Sequence, residues 1–479
     1  MSRRTLSFIQ MNRAIGAVVA SAAGDALGAG YEFAPPSRPD DIVMRRGTLT
    51  GEPAGYWTDD TAMAVGILMT AAQMGTLDGD EATAHVGDQF LAWFDSKPRD
   101  VGQHTARVLS KATAGADLAH AAARLQERFP DAAGNGSLMR TGPVALAALG
   151  DDVEIARTAR RLSALTHPHI DAQDACVLWS VAIGRSILSG ELTSPRVGLY
   201  LLPPPRQARW TALIDAAESN DPNTFTPNGW VVTAFQAAWS SLFHTTHEPT
   251  PLLAALRRAV AIGDDTDTVA AICGALAGAA YGVTAVPFAW RRGLAGWPHG
   301  LRTIDLVHLA AQAARGGNDA QGWPEVASML PAYERFVPRG GTYTFNEDAN
   351  VIFGDVAALA DVEADAFISL CRIGRTDRRA EDHEVIWLID RDENMDASAT
   401  LADAADAIAA LRAEGRRVFV HCVRAESRTP TVAMAWLIRH HDYEFEDAVV
   451  AVMGTITSAH PDESLLRAVA QMDQAAGAL

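Results

Sequence analysis

Cysteine is scarce in this 479-residue chain: Cys176, Cys273, Cys371 and Cys422 stand far apart and form no CxxC pair. That argues against a disulfide scaffold or a zinc knuckle and points to a reducing compartment. Lysine is almost missing, with Lys97 and Lys111 beside 38 arginines, a compositional bias that carries no mechanism. Positive charge is outweighed throughout, because 40 Lys and Arg against 58 Asp and Glu leave a net charge of −18. A chain this acidic is a poor match for a nucleic-acid backbone or an anionic membrane surface, so neither partner is expected. No apolar run approaches the roughly 18 residues of a membrane span, and no long low-complexity tract or internal repeat interrupts the text. A cytoplasmic protein is the expectation.

What is present is ordinary globular composition, 48% hydrophobic and 20% charged, in enough chain for two or three domains. Near the start, Ser2-Arg3-Arg4 ahead of the apolar stretch 14–23 has the outline of a twin-arginine leader. Asn12 and Arg13 interrupt that outline, and Ile15, Val18, Val19, Ala22 and Ala23 fall at helical spacing, so a first core helix is expected instead. From residue 12 to about 316, Ala and Leu recur at helical intervals, notably over 62–74, 118–125, 172–188, 252–261, 269–281 and 306–314. Gly- and Pro-rich stretches at 315–324 and 338–341 read as a linker. Beyond them, short apolar runs at 350–353, 366–370, 385–389 and 418–420 alternate with helical patterns, which suggests a parallel sheet with covering helices. The expected organisation is an all-α domain over 10–318, a linker over 319–340 and an α/β domain over 341–479.

Two segments concentrate oxygen ligands at helix starts: Trp57-Thr58-Asp59-Asp60-Thr61, and Gly263-Asp264-Asp265-Thr266-Asp267-Thr268. Helix capping explains one such side chain at each start. It does not explain five Asp in two short stretches, which repel one another unless cations sit between them; carboxylates with Thr hydroxyls suit Mg²⁺ or Mn²⁺. A third segment, from Gly24-Asp25 to Gly30-Tyr31-Glu32, ends the first helix in glycines and is expected to send an acidic side chain outward. A fourth, Gly134-Asn135-Gly136-Ser137-Leu138-Met139-Arg140, is a glycine loop open to a close ligand such as phosphate.

In this order, with the pair Thr166-His167 between them, these segments resemble the ADP-ribosylglycohydrolase family, over roughly residues 12 to 316. The resemblance implies an all-α bundle with a two-metal site of Mg²⁺ or Mn²⁺ held by Thr58, Asp59, Asp60, Asp265, Asp267 and Thr268. It implies that Glu32 lies near the metals and that Asp60 and Glu32 serve in catalysis. Gly134, Asn135, Gly136 and Ser137 would hold the phosphates of ADP-ribose, with His167 lining the nucleotide site. The metals would orient the ribose and a water, and a carboxylate would take the proton as the anomeric bond breaks. The substrate that the resemblance implies is an ADP-ribosylated protein, arginine favoured, or a small molecule carrying ADP-ribose. One position departs from the family: Asp264 replaces a second glycine and is expected to be a solvated cap, the alternative being an effect on metal affinity.

The only cysteine in a setting that chemistry would choose is Cys422, in His421-Cys422-Val423-Arg424-Ala425-Glu426-Ser427-Arg428-Thr429, between a strand-like run and a helix-like one. Strand, loop and helix N-terminus form an anion nest that favours a thiolate and cradles a phosphate, and Arg428 can curl back onto two of its oxygens. This HCx5R segment resembles the tyrosine and dual-specificity phosphatases. The resemblance implies attack by Cys422 on a phosphoprotein, assistance to the leaving thiolate by Thr429, and protonation of the leaving oxygen by Asp390, with Asp392 as rival. Ala425 replaces the family's glycine, and a positive φ there would strain the nest.

Two readings follow. One is a metal-dependent ADP-ribosyl hydrolase fused to a cysteine phosphatase; the other is a sensor or adaptor for ADP-ribose and phosphate with a non-catalytic pseudophosphatase domain. The pair His244 and His247 reads as a surface loop rather than a zinc site, Cys176 and Cys273 as core thiols, and 465–479 as an amphipathic helix.

Overall fold

The computed structural model describes residues 5–317, Trp323 and 326–476. They form two compact units: one built from the chain up to Val286 with 293–317, the other from Pro287–Arg292, Trp323 and 326–476. Among the described residues the first unit is helical apart from a two-rung ladder between Ala295–Gly296 and Leu301–Arg302 and two isolated bridges, Tyr56 with Ala295 and Gly134 with Trp230. Its expected helices are present, slightly extended: Leu118–Arg128, Ile170–Ser189, Pro251–Ala261 and Thr303–Ala314 among them. No helix among the described residues is long and apolar enough to cross a membrane.

Three helices place the first candidate site: α1 (Phe8–Gly28), α2 (Asp59–Met74) and α3 (Thr266–Tyr281). Helix α1 starts where Ser7 and Gln10 form a reciprocal capping box, and Ile15, Val18, Val19, Ala22 and Ala23 are buried along it. Arg3 and Arg4 lie outside the described residues. Helices α1 and α3 run antiparallel in backbone contact. A Cβ at Gly278 would stand 2.0 Å from the Gly16 carbonyl oxygen, one at Gly274 2.2 Å from that of Ala20, and one at Gly24 2.2 Å from that of Ala270. Small residues at these crossings bring the Asp25 end of α1 against the Asp267 start of α3. Cys176 and Cys273 are buried, and desolvation raises both thiols above their usual pKa.

The second unit is a five-stranded sheet of β1 (Thr342–Phe345), β2 (Asp348–Asp355), β3 (Ala366–Ser369), β4 (His383–Val385) and β5 (Val418–Cys422). The order is β1-β2-β5-β3-β4, parallel throughout except for the antiparallel edge strand β1. Alternate residues cover both faces: Val351, Phe353, Ile368 and Val420 pack with Leu401, Ile408 and Trp436, while Ile352, Phe367 and Phe419 pack with Leu359 on the other side. The helices are α4 (Ala397–Ala413), α5 (Arg428–His440), α6 (Phe445–Thr455) and α7 (Glu463–Ala476).

The run 385–389 is not the expected strand. The strand covers His383–Val385, the Ile386 amide adds one more bond to the Ser369 carbonyl of β3 at 2.9 Å, and Trp387 and Leu388 are buried in a loop, because an apolar run marks burial without specifying a ladder. In the stretch expected as a linker, Trp323 donates to the Ile373 carbonyl at 3.0 Å and Tyr333 to that of Arg372 at 2.7 Å, both within the second unit.

Candidate active sites

Asp25 is fully buried and points inward, which corrects the outward acid expected at the end of the first helix. Its carboxylate accepts from the Thr58 amide at 2.9 Å, the Thr58 hydroxyl at 2.8 Å and the Thr61 amide at 2.9 Å, and so organises the first turn of α2. The Thr58 hydroxyl lies 2.8 Å from Asp25 Oδ1, 2.9 Å from Asp60 Oδ2 and 3.4 Å from Asp267 Oδ2. A hydroxyl carries one proton, so it satisfies only one of these three acceptors at a time. The other oxygen of Asp60 is buried with no hydrogen-bond partner among the described residues.

Oxygens of Asp25, Asp60 and Asp267 all lie within 4.8 Å of one another, and so do those of Glu32, Asp100 and Asp267. Two carboxylate triads sharing Asp267 are a donor set for hard cations, and the orphaned Asp60 oxygen is the atom a cation would satisfy. The electrostatics agree. Burial, then Asp100, Asp265 and Asp25, push Glu32 up to about 8; burial, then Asp25 and Asp265, push Asp100 up to about 6. Burial and neighbouring carboxylates raise Asp59, Asp60 and Asp267 well above the usual range. A positive charge in the cage would reverse this trend.

Asp59 leaves the helix start on another side from Asp60 and accepts weakly from the Gly102 amide at 3.4 Å. It lines a cleft of about 230 Å³ together with Asp100, Tyr56, Trp57, Trp297 and His299. Asp265 accepts from Asn135 Nδ2 at 2.7 Å, and its amide donates to Asn228 Oδ1 at 2.8 Å. Thr268 is buried at the same helix start, its amide donating to Asp267 Oδ1 at 2.9 Å. Asp264 is not a solvated cap. It holds φ +64°, a conformation in which Asp is tolerated, and its carboxylate accepts from the Asn228 amide at 2.9 Å.

The glycine loop is braced from behind. Arg140, fully buried, donates to the Gly136 carbonyl at 2.9 Å and to the Thr166 hydroxyl at 2.6 Å. His167 is buried beneath the loop: its Cε1 would be 2.8 Å from a Cβ at Gly136, and its Nε2 3.5 Å from one at Gly134. Burial, reinforced by Arg140, keeps His167 well below the usual histidine range, so the ring is neutral. Ser137 accepts from the Ser163 hydroxyl at 2.9 Å and is buried as well. His167 and Ser137 thus back the loop, while Asn135 ties it to Asp265.

In the second unit Cys422 ends β5, opposite Asp355 of β2, and opens into a cleft of about 640 Å³ shared with Asp390, Glu426, Ser427 and Arg428. Arg428, at the start of α5, donates from Nη1 to the Leu370 carbonyl at 2.6 Å, and its Nε stands 3.2 Å from Asp390 Oδ2. Asp392 is instead exposed and paired with Arg467 at 2.8 Å. Thr429 donates to the Gly354 carbonyl at 3.2 Å. Ala425 takes φ +51°, the left-handed conformation that penalises a Cβ. Behind the loop, the Ser369 hydroxyl stands 2.7 Å from both His383 Nε2 and His421 Nε2. Burial lowers His421 to about 4 and His383 to about 2.

Sequence reasoning passed over Asp100 and Asn228 entirely. Asp100 sits in a polar loop with no local pattern, and Asn228 earns its place only through contacts with Asp264, Asp265 and Asn135 in distant segments.

Fold and site together define a helical carboxylate-cage domain joined to an α/β domain with a cysteine loop. Residues 8–321 match the ADP-ribosylglycohydrolase family, and 356–474 match the dual specificity phosphatase catalytic domain. The chain is 27% identical to the ADP-ribosyl-[dinitrogen reductase] glycohydrolase of Rhodospirillum rubrum, over 58% of this chain and 89% of that one. It is 28% identical to the ADP-ribosylarginine hydrolase Tri1 of Pseudomonas putida, covering 58% and 73%, and 26% identical to the ADP-ribosylhydrolase ARH3 of Danio rerio, covering 59% and 86%. The chain belongs to the ADP-ribosylglycohydrolase family and carries a dual-specificity-phosphatase-like domain at its C-terminal end.

Proposed function

We propose that the first domain is a metal-dependent hydrolase that releases ADP-ribose from a modified side chain, arginine by preference. The observation that carries this is the Thr58 hydroxyl amid three buried carboxylates, an arrangement that needs cations. Thr58, Asp59, Asp60, Asp265, Asp267 and Thr268 would hold one or two ions, with Asp25 ordering their first turn and Glu32 and Asp100 at the open side. When bound, Mg²⁺ or Mn²⁺ would supply positive charge to orient the ribose hydroxyls and acidify a water. Glu32, beside Asp100 and Asp267, is the chain's own proton acceptor, and the loop at Gly134–Gly136 offers backbone to the diphosphate. Arginine is preferred because relatives named ADP-ribosylarginine hydrolases align over nearly the whole helical domain. The test is release of ADP-ribose from an ADP-ribosylated arginine peptide. Activity should require Mg²⁺ or Mn²⁺ and vanish in Asp267→Ala; metal-independent release overturns the reading.

For the second domain we infer a cysteine-dependent phosphatase acting on phosphoprotein, with Cys422 as nucleophile, Arg428 as phosphate clamp and Asp390 as proton donor. Asp390 lines the Cys422 cleft, as a proton donor must. Hydrolysis of an aryl phosphate should disappear in Cys422→Ser. A second reading, phosphate binding without turnover, is favoured by the strained Ala425 and would be adopted if the parent protein binds phosphate but hydrolyses nothing.

A further inference from the structure

The mouth of the Cys422 cleft carries four carboxylates, Asp390, Glu426, Asp462 and Glu463, against two guanidinium groups, Arg424 and Arg428. Each arginine already has an acid: Arg428 stands 3.2 Å from Asp390, and Arg424 stands 2.6 Å from Glu426. Asp462 and Glu463 remain in excess. Arg467 reaches Glu463 only at 3.8 Å and lies closer to Asp392, at 2.8 Å.

The backbone that carries Asp462 is fixed in place. The segment before α7 is fastened to the nucleophile loop by three successive hydrogen bonds: Ser458 Oγ to the Ala425 carbonyl at 3.1 Å, the His460 amide to the Glu426 carbonyl at 2.6 Å, and the Asp462 amide to Ser427 Oγ at 3.0 Å. Asp462 and Glu463 therefore line the same cleft as the nucleophile loop.

On the reading that this loop binds phosphate, we propose that the cleft selects a phosphorylated peptide segment flanked by basic residues and rejects polyanionic phosphates such as nucleotides or acidic phosphopeptides. A bound dianion deepens the negative potential at the mouth, and only a cationic surround offsets it. Two flanking cations facing Asp462 and Glu463, which Arg467 offsets only in part, make four pairs at about 8 Å. At roughly a factor of two each in water, these give about a fifteenfold gain over neutral flanks at low salt, and acidic flanks lose by a similar factor; screening removes both.

The test uses full-length Cys422→Ser protein and fluorescence anisotropy with three peptides: a phosphotyrosine peptide flanked by arginines, the same peptide flanked by glutamates, and the unphosphorylated arginine peptide. The expected result at low salt is at least about a hundredfold tighter binding of the arginine-flanked phosphopeptide than of the glutamate-flanked one, because the acidic flanks turn the same four attractions into repulsions. The gap should close near 0.5 M salt and shrink in Glu463→Gln, an exposed position whose neutralisation leaves packing alone. Equal affinity, or tighter binding of the glutamate-flanked peptide, overturns the selectivity while leaving the phosphate site standing. If phosphorylation makes no difference and inorganic phosphate does not compete, the phosphate-site reading fails and the selectivity falls with it.

Discussion

Replacing Asp60 by Asn should stabilise the metal-free protein and destabilise the metal-loaded one, a reversal of sign that few surface or packing effects can imitate. In the metal-free state Asp60 brings a buried oxygen without a partner into a group of raised-pKa carboxylates. An unsatisfied buried polar atom costs about 1–3 kcal/mol, and the amide keeps the acceptor facing Thr58 while removing the charge. With cation present at a thousand times its dissociation constant, binding adds about 4.1 kcal/mol to the wild type; the variant forfeits it, which outweighs its gain of about 2 kcal/mol by about as much again. For a domain of this size 1 kcal/mol moves the melting temperature by about 2 °C, so shifts of about 4 °C in opposite directions are expected. The assay is thermal unfolding of the full chain in EDTA and in Mg²⁺, followed through the transition that responds to metal. The pH dependence has a definite sign. Glu32 and Asp100 hold protons more tightly folded, at about 8 and about 6, than in the unfolded chain. Their contribution to metal-free stability is therefore fully present below the unfolded carboxylate range and is lost as pH rises through 6 and 8. Added metal should rescue most at the upper end. A metal-free Asp60→Asn protein that melts below metal-free wild type refutes the argument from crowded charge.

Ala425→Gly removes the Cβ from a left-handed position that costs alanine about 1–2 kcal/mol, and steady-state hydrolysis of an aryl phosphate should rise severalfold; unchanged turnover acquits the strain. Asp390→Asn should lower turnover of a poor leaving group about a hundredfold, whereas Asp392→Asn, at an exposed pair with Arg467, should stay within about twofold; the reverse ranking would exchange their roles. Gly278→Ala puts a Cβ 2.0 Å from the Gly16 carbonyl oxygen and should cost more than about 4 kcal/mol, read as loss of the folded first domain by circular dichroism. Gly454→Ala meets nothing within 4 Å and serves as the tolerated comparison.

The helices of the first domain were legible because their apolar positions keep helical spacing over three or more turns, as in 269–281, and the cage because charge repulsion makes five Asp at two helix starts implausible without cations. The sense of Asp25 was not legible: flanking glycines suggested exposure, but here they let α1 approach α3 and turn the carboxylate inward. The nucleophile loop was readable residue by residue, including the consequence of Ala425, since one residue's φ is a local matter. The loop at 386–389 failed because buried strand and buried loop share a composition. The contacts of Arg140 and His167 with the back of the glycine loop depend on partners that no local spacing encodes.

The seam between α1 and α3 has a bearing on how this domain comes apart. From Gly278 to Asp267 it runs about 17 Å, with main chain against main chain at several crossings and few side chains that can slip or repack between them. Partial loosening of the surrounding helices would leave this ruler in place. The amides along 16–28 and 266–278 should thus be among the last to exchange with solvent, and the carboxylate cage should keep its spacing in states where the rest of the domain has begun to breathe.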